Sequence, residues 1–232
     1  MSGPGAIACI GGGGFLVDDI RGVQERHLLT LVRASRAPRP RVLFLGLAHG
    51  DRELGQVKAF KMFSKLGCDI DALPFFPYEM KRDYVAEALA ADLIYVGGGN
   101  TPAMLAVWRE FGFDRALHAA WQAGTVLSGI SAGANCWFEH YVTDSVPGGG
   151  VRPGLGWVPG TFCPHLDSEP WRQPLLAGVP AAPAYGVREG GILVLRPGAA
   201  PEFVADKPGV AANVRLPGEE AREVPSLDLS SP

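Results

Sequence analysis

Residues 125 to 136, Thr-Val-Leu-Ser-Gly-Ile-Ser-Ala-Gly-Ala-Asn-Cys, constrain the fold more than any other stretch of the chain. Thr125 to Leu127 read as the end of a buried strand, Gly129-Ile130-Ser131-Ala132-Gly133 fits the G-x-S-x-G elbow, and Ala132 to Phe138 can open a helix. The motif needs strand, sharp turn and helix in succession, which commits this region to an α/β layer. Its glycines let the chain reverse without side-chain clash and leave the Ser131 hydroxyl exposed at the head of the helix. A plain glycine-rich turn would look the same over five residues, so the surroundings have to decide.

Upstream of the elbow the chain alternates in period. Ala6 to Ile10, Arg41 to Leu47, Ile70 to Phe75 and Leu93 to Val96 are apolar runs of strand length. Between them, Val23, His27, Leu28, Leu31 and Val32 recur at helical spacing, as do Leu54, Val57, Phe60, Phe63 and Leu66. Tyr84 to Ala91 reads as a third helix. Thr101 suits an N-cap and Pro102 a first helical position for a helix through Met104, Leu105, Trp108 and Phe111; Phe113 to Ala123 supplies one more. This order predicts an α/β fold in three layers, a largely parallel sheet with helices on both faces.

After residue 140 glycine and proline crowd together. Thr161 to Cys163 reads as a short strand ending at Pro164-His165, and Glu169 to Leu176 as a short helix. Ala184 to Val187, Ile192 to Leu195 and Phe203 to Ala205 predict a C-terminal antiparallel section. With no repeat or linker, residues 1–232 are expected to form one domain with its core at about 6–206, and 219–232 to fray.

Composition excludes several classes. At 47% hydrophobic and 19% charged the chain can bury a sizeable core, and a net charge of -3 gives no attraction to nucleic acid. Arg33, Arg36, Arg39 and Arg41, interleaved with prolines, are expected in a solvated loop. No apolar run reaches membrane length, which points to the cytoplasm. Cys9, Cys68, Cys136 and Cys163 form no C-x-x-C pair and are expected reduced and mostly buried; the five histidines show no ligand spacing, so no metal or other cofactor is expected. Gly11 to Gly14 resembles a phosphate loop, but no Lys-Ser or Lys-Thr follows and the glycine spacing of a dinucleotide loop is absent.

A serine becomes a useful nucleophile only when a base takes its proton and an acid orients that base. Downstream of Ser131 the histidines are His140, expected at the end of the elbow helix, and His165, at a strand end followed by loop. Glu189 lies between two short strands; Asp144, Asp167 and Glu169 compete with it for the role of acid, and spacing does not choose. An α/β-hydrolase runs nucleophile, acid, histidine, and no histidine follows His165, so that fold is disfavoured.

Four motifs in order, Val96-Gly97-Gly98-Gly99-Asn100-Thr101, Gly129-Ile130-Ser131-Ala132-Gly133-Ala134-Asn135, Pro164-His165 and Glu189-Gly190, resemble the serine peptidase family of peptidase E, an aspartyl dipeptidase, and cyanophycinase. The resemblance covers about residues 6–206. It implies a fold like that of class I glutamine amidotransferases, with serine in place of the elbow cysteine. It implies Ser131 as nucleophile, His165 as base and Glu189 as acid, with Asp144 as the alternative acid. The Gly99 and Ala132 amides match the oxyanion hole.

Asn100, Thr101 and Arg172 are the candidate substrate-binding residues. Aspartyl dipeptidases of this family place an arginine in a longer segment after the histidine, and Arg172 either corresponds to it or is a helix-surface residue. The implied partner is a short peptide, with or without an N-terminal Asp. An esterase or amidase, or a binding protein on the same scaffold, are the alternatives. Oligomeric state stays open, a homodimer being the commonest arrangement of small enzymes.

Overall fold

The computed structural model describes residues 3–17, 19–32, 38–76, 82–180 and 183–230. Of the arginine cluster, Arg33 and Arg36 lie outside the described residues. The chain begins β1 (Ile7–Ile10), α1 (Val23–Leu31), β2 (Arg41–Leu45), α2 (Glu53–Lys65), β3 (Asp69–Ala72), α3 (Tyr84–Ala90) and β4 (Leu93–Val96). It continues α4 (Thr101–Phe111), α5 (Phe113–Gln122), β5 (Val126–Ile130) and the one-turn α6 (Ala132–Asn135). Then follow β6 (Phe138–Thr143), β7 (Gly150–Pro153), β8 (Val158–Cys163), α7 (Arg172–Gly178) and β9 (Ala184–Val187). Last come β10 (Gly191–Leu195), β11 (Glu202–Ala205), β12 (Ala211–Arg215), β13 (Arg222–Pro225) and β14 (Leu227–Asp228).

The main sheet runs β14-β11-β10-β1-β5-β4-β2-β3 and is parallel from β1 to β3; β10 pairs antiparallel with β1. Its central strands are buried on both faces, as their continuous apolar runs require. One face packs against α1 and α2 through Leu28, Ala59, Met62 and Phe63. The other meets Met104, Leu105 and Trp108 of α4, Phe113 and Leu117 of α5, and a second sheet. Burying each of the large aromatics here contributes roughly 2–3 kcal/mol.

That second sheet, β13-β12-β9-β8-β6-β7, is mixed: β8 is parallel to both β6 and β9, while β7, β12 and β13 pair antiparallel. The expected C-terminal antiparallel section is therefore divided. β10 and β11 extend the main sheet, and β9 and β12 belong to the second. Within 219–230, β13 pairs with β12 and β14 with β11.

Three local expectations shift. Asn100, not Thr101, caps α4: its side chain accepts from the Ala103 N–H, while Thr101 is the buried first residue of the helix. His140 sits on β6 rather than at a helix end, because the elbow helix lasts one turn. On α2, Leu54, Val57 and Phe60 are solvent-exposed, and the buried stripe is Ala59, Met62 and Phe63.

Candidate active site

Ser131 leaves β5 with φ 53° and ψ -110°, and α6 starts at the next residue. A non-glycine residue at positive φ is strained, and here the surroundings hold it. The Ser131 N–H donates to Ile10 O at 3.0 Å, and Ser131 O accepts from the Ala134 and Asn135 amides at 3.0 and 2.9 Å. The flanking glycines serve space rather than backbone rotation. A Cβ on Gly129 would stand 2.3 Å from the Gly133 carbonyl carbon and oxygen, and one on Gly133 would stand 2.3 Å from Val96 O.

His165 follows β8 and Pro164, also at positive φ (55°), its N–H donating to Gly11 O at 3.1 Å. Its Nδ1 lies 2.5 Å from Glu189 Oε1. Glu189 occupies the turn by which the chain passes from β9 in the second sheet to β10 in the main one. The Glu189 N–H donates to Asp167 Oδ1 at 2.9 Å, and Ser168 Oγ donates to Glu189 Oε1 at 3.0 Å. The hydrogen bond to His165, above all, holds the Glu189 carboxyl below the usual carboxylate range against the opposing effect of burial, with Ser168 adding to it. An ionised Glu189 can only accept, so Nδ1 carries the proton and Nε2 keeps its lone pair.

Ser131, His165 and Glu189 line one cleft of about 320 Å³, together with Gly97, Gly98 and Gly99. Gly99 has φ +136°, and a Cβ on it would stand 2.2 Å from Ala48 O. Among the described residues, neither the Gly99 nor the Ala132 amide donates to a backbone carbonyl.

The remaining candidates are not brought there. Asp144 is exposed, with Oδ1 3.5 Å from Arg172 and no bond to His165. Arg172 is buried: Nη1 donates to Val142 O at 2.9 Å, Nε to Glu169 Oε2 at 2.8 Å, and the guanidinium lies 4.5 Å from the Trp171 ring centre. It clasps α7 to β6 and is neither at the cleft nor on a free helix surface. Asn100 donates from Nδ2 to Ser145 O at 3.3 Å besides capping α4, and Thr101 Oγ1 accepts from Asn135 Nδ2 at 3.4 Å. Both brace the glycine loop rather than line the cleft.

The Gly11–Gly14 turn builds the wall behind the acid. A Cβ on Gly12 would stand 2.0 Å from Glu189 Oε2, and Gly12 O accepts from the Gly190 N–H and from Gln24 Nε2, both at 3.1 Å. The signal was present as four consecutive glycines, but their purpose depends on a residue far along the chain. Asp167 was readable as an acid competitor, and neither it nor Ser168 as a support for Glu189.

Beside this wall Glu25 is buried on α1, Oε1 accepting from the Phe15 N–H at 3.4 Å and Oε2 without a partner among the described residues. Burial pushes its carboxyl from the usual 4.5 up to about 7. Between those values the folded chain holds a proton that the unfolded chain has released, so stability falls as pH rises through that window. Glu25→Gln removes the titration. Its stability relative to the unsubstituted chain should gain on the order of 3 kcal/mol between about pH 4 and about pH 8, measured by urea unfolding at both.

The four cysteines are buried and unpaired, and no helix among the described residues is long and apolar enough to cross a membrane. Against known proteins, the sequence model of peptidase family S51 matches residues 11–201. The chain is 39% identical over 168 residues to the uncharacterized peptidase YgaJ of Bacillus subtilis (strain 168), covering 72% of this chain and 71% of that protein. In structure it is similar to a peptidase from an acI-B1 Actinobacterium, with TM-score 0.71, 19% identity and coverage of 97% of this chain and 95% of the other. It also resembles a candidate peptidase E of Listeria monocytogenes EGD-e, with TM-score 0.63, 17% identity and coverage of 87% and 98%.

Proposed function

Because the chain belongs to peptidase family S51, we propose that it is a serine peptidase of dipeptides or short peptides, working through Ser131, His165 and Glu189. The observation that carries this reading is the strained Ser131 elbow in the same cleft as the 2.5 Å His165–Glu189 pair. His165 takes the Ser131 proton on Nε2 as the hydroxyl oxygen attacks the peptide carbonyl carbon. Glu189 steadies the imidazolium that forms. The oxyanion is received by the Gly99 and Ala132 amides, each such donor being worth on the order of 3 kcal/mol in the transition state. His165 then protonates the leaving amine, and water attacks the acyl-enzyme by the reverse proton path, releasing the acid and restoring Ser131.

Ionised Glu189 is preferred to Asp144 as the acid because it already holds Nδ1 and because Asp144 is engaged by Arg172. We place the reaction in the cytoplasm, with the four unpaired cysteines as support. The test is to incubate the purified protein with Asp-Leu, Leu-Asp, Ala-Leu and longer peptides, following free amino acids by mass spectrometry, and to map the site labelled by a fluorophosphonate. Expected are release of amino acids from short peptides and a label on Ser131. No release from any peptide, with Ser131 unlabelled, would sink the proposal.

A further inference from the structure

With Arg172 spent on Val142 O, Glu169 and Asp144, the cleft needs another cation if it is to hold a carboxylate. Besides His165, three basic side chains line it: His49, Arg52 and Lys58. Lys58 donates to Leu16 O at 2.9 Å. The His49 Nδ1 lies 3.0 Å from Gly98 O, which ties the ring to the loop beside Ser131. Arg52 stands where the chain enters α2, exposed, and makes no side-chain hydrogen bond or ion pair among the described residues. Of its two acidic neighbours, Asp51 turns back and accepts from the Phe75 N–H at 2.5 Å, and Glu53 forms no ion pair with it. Glu189, the carboxylate that lines the cleft, is held by His165 and Ser168.

We propose that Arg52, seconded by His49, binds a carboxylate of the peptide substrate and sets the specificity of the site. This deepens the serine peptidase reading and rests on it. A guanidinium suits the task because its fork matches the two oxygens of a carboxylate, and an arginine with no internal partner spends nothing on breaking an existing bond. The short turn at Leu47–His49 fixes the approach: Ala48 O accepts from the Asn100 N–H at 2.8 Å, which packs the turn against the glycine loop next to the nucleophile. The carboxylate is either the C-terminus of the peptide or the side chain of an N-terminal Asp, the chemistry at Arg52 being the same.

Binding is measured by calorimetry on the Ser131→Ala chain, so that turnover is not needed, with Ala-Leu, Asp-Leu amide and Ala-Leu amide. Adding Arg52→Gln should weaken the carboxylate-bearing peptides on the order of 10- to 100-fold and leave Ala-Leu amide unchanged. Lys61→Gln, an exposed charge on α2 away from the cleft, should change neither. A loss confined to Ala-Leu assigns Arg52 to the C-terminus, and one confined to Asp-Leu amide assigns it to the Asp side chain. Equal effects on all three peptides, no effect, or no binding of any peptide would overturn the proposal. Hydrolysis by the unsubstituted chain is run alongside: turnover with Arg52 inert rejects the specificity residue and keeps the peptidase, whereas carboxylate binding without turnover does the reverse.

Discussion

Ser131→Ala is expected to lower kcat/KM on a susceptible dipeptide by on the order of 10⁶-fold while leaving the fold and its melting temperature almost unchanged. The hydroxyl has no hydrogen-bond partner among the described residues, and alanine takes up the same φ of 53° under the same backbone bonds to Ile10, Ala134 and Asn135. Stability should therefore move by no more than about 0.5 kcal/mol. Glu189→Gln should cost less, on the order of 10⁴-fold, since an amide can present its N–H toward Nδ1 and turn the ring to the wrong tautomer. Steady-state kinetics on both variants, with circular dichroism to confirm folding, checks the pair. Activity surviving in Ser131→Ala would remove the covalent mechanism.

Gly133→Ala is expected to produce the largest loss of stability, about 3 kcal/mol or more, together with loss of turnover. The added Cβ would lie 2.3 Å from Val96 O and 2.8 Å from Val96 Cβ, so the obstruction is a neighbouring strand, not the flexible end of a side chain. Relief requires α6 to withdraw from β4, which shifts Ser131 and the Ala132 amide together relative to His165. For a chain of this length the melting temperature should fall by about 6–12 °C in a thermal scan. Gly178→Ala is the control, with nothing within 4 Å of the new methyl group. A similar small change in both variants would show that the elbow is looser than its spacing indicates.

Much of this was open to reading in the chain itself. Runs of apolar residues long enough for strands, separated by helical spacing, specify the parallel half because each βαβ unit is local. The elbow, His165 and Glu189 were found by chemical need and by resemblance, and the structure gathers them in one cleft. What escaped depended on distant partners. Whether β9 joins the main sheet or the second is decided by β8 and β12, not by its own four residues. Periodicity on α2 marked Leu54, Val57 and Phe60, whereas the sheet beneath covers the face with Ala59, Met62 and Phe63. The glycines at 129 and 133 spare a side-chain clash as expected, but the positive φ of Ser131 was not legible, because it follows from crowding by Val96 and within the elbow. Arg172 was weighed as a substrate ligand or a surface residue, and its clasp on Val142 and Glu169 is visible only once β6 and α7 are packed together.

Glu189 sits where the chain steps from one sheet to the other, Ser131 rides on the main sheet and His165 on the second. The three groups thus behave like marks on two rulers laid edge to edge: they line up at one setting only. Phe138, Phe162, Tyr185 and Phe203, stacked between the rulers, hold that setting from outside the cleft. A slip of the sheets by a fraction of a residue would leave every helix wound, yet would displace Ser131 relative to His165 within the cleft. On the proposed mechanism, turnover should therefore gauge how the two halves are seated, and should fail before any spectroscopic sign of unfolding.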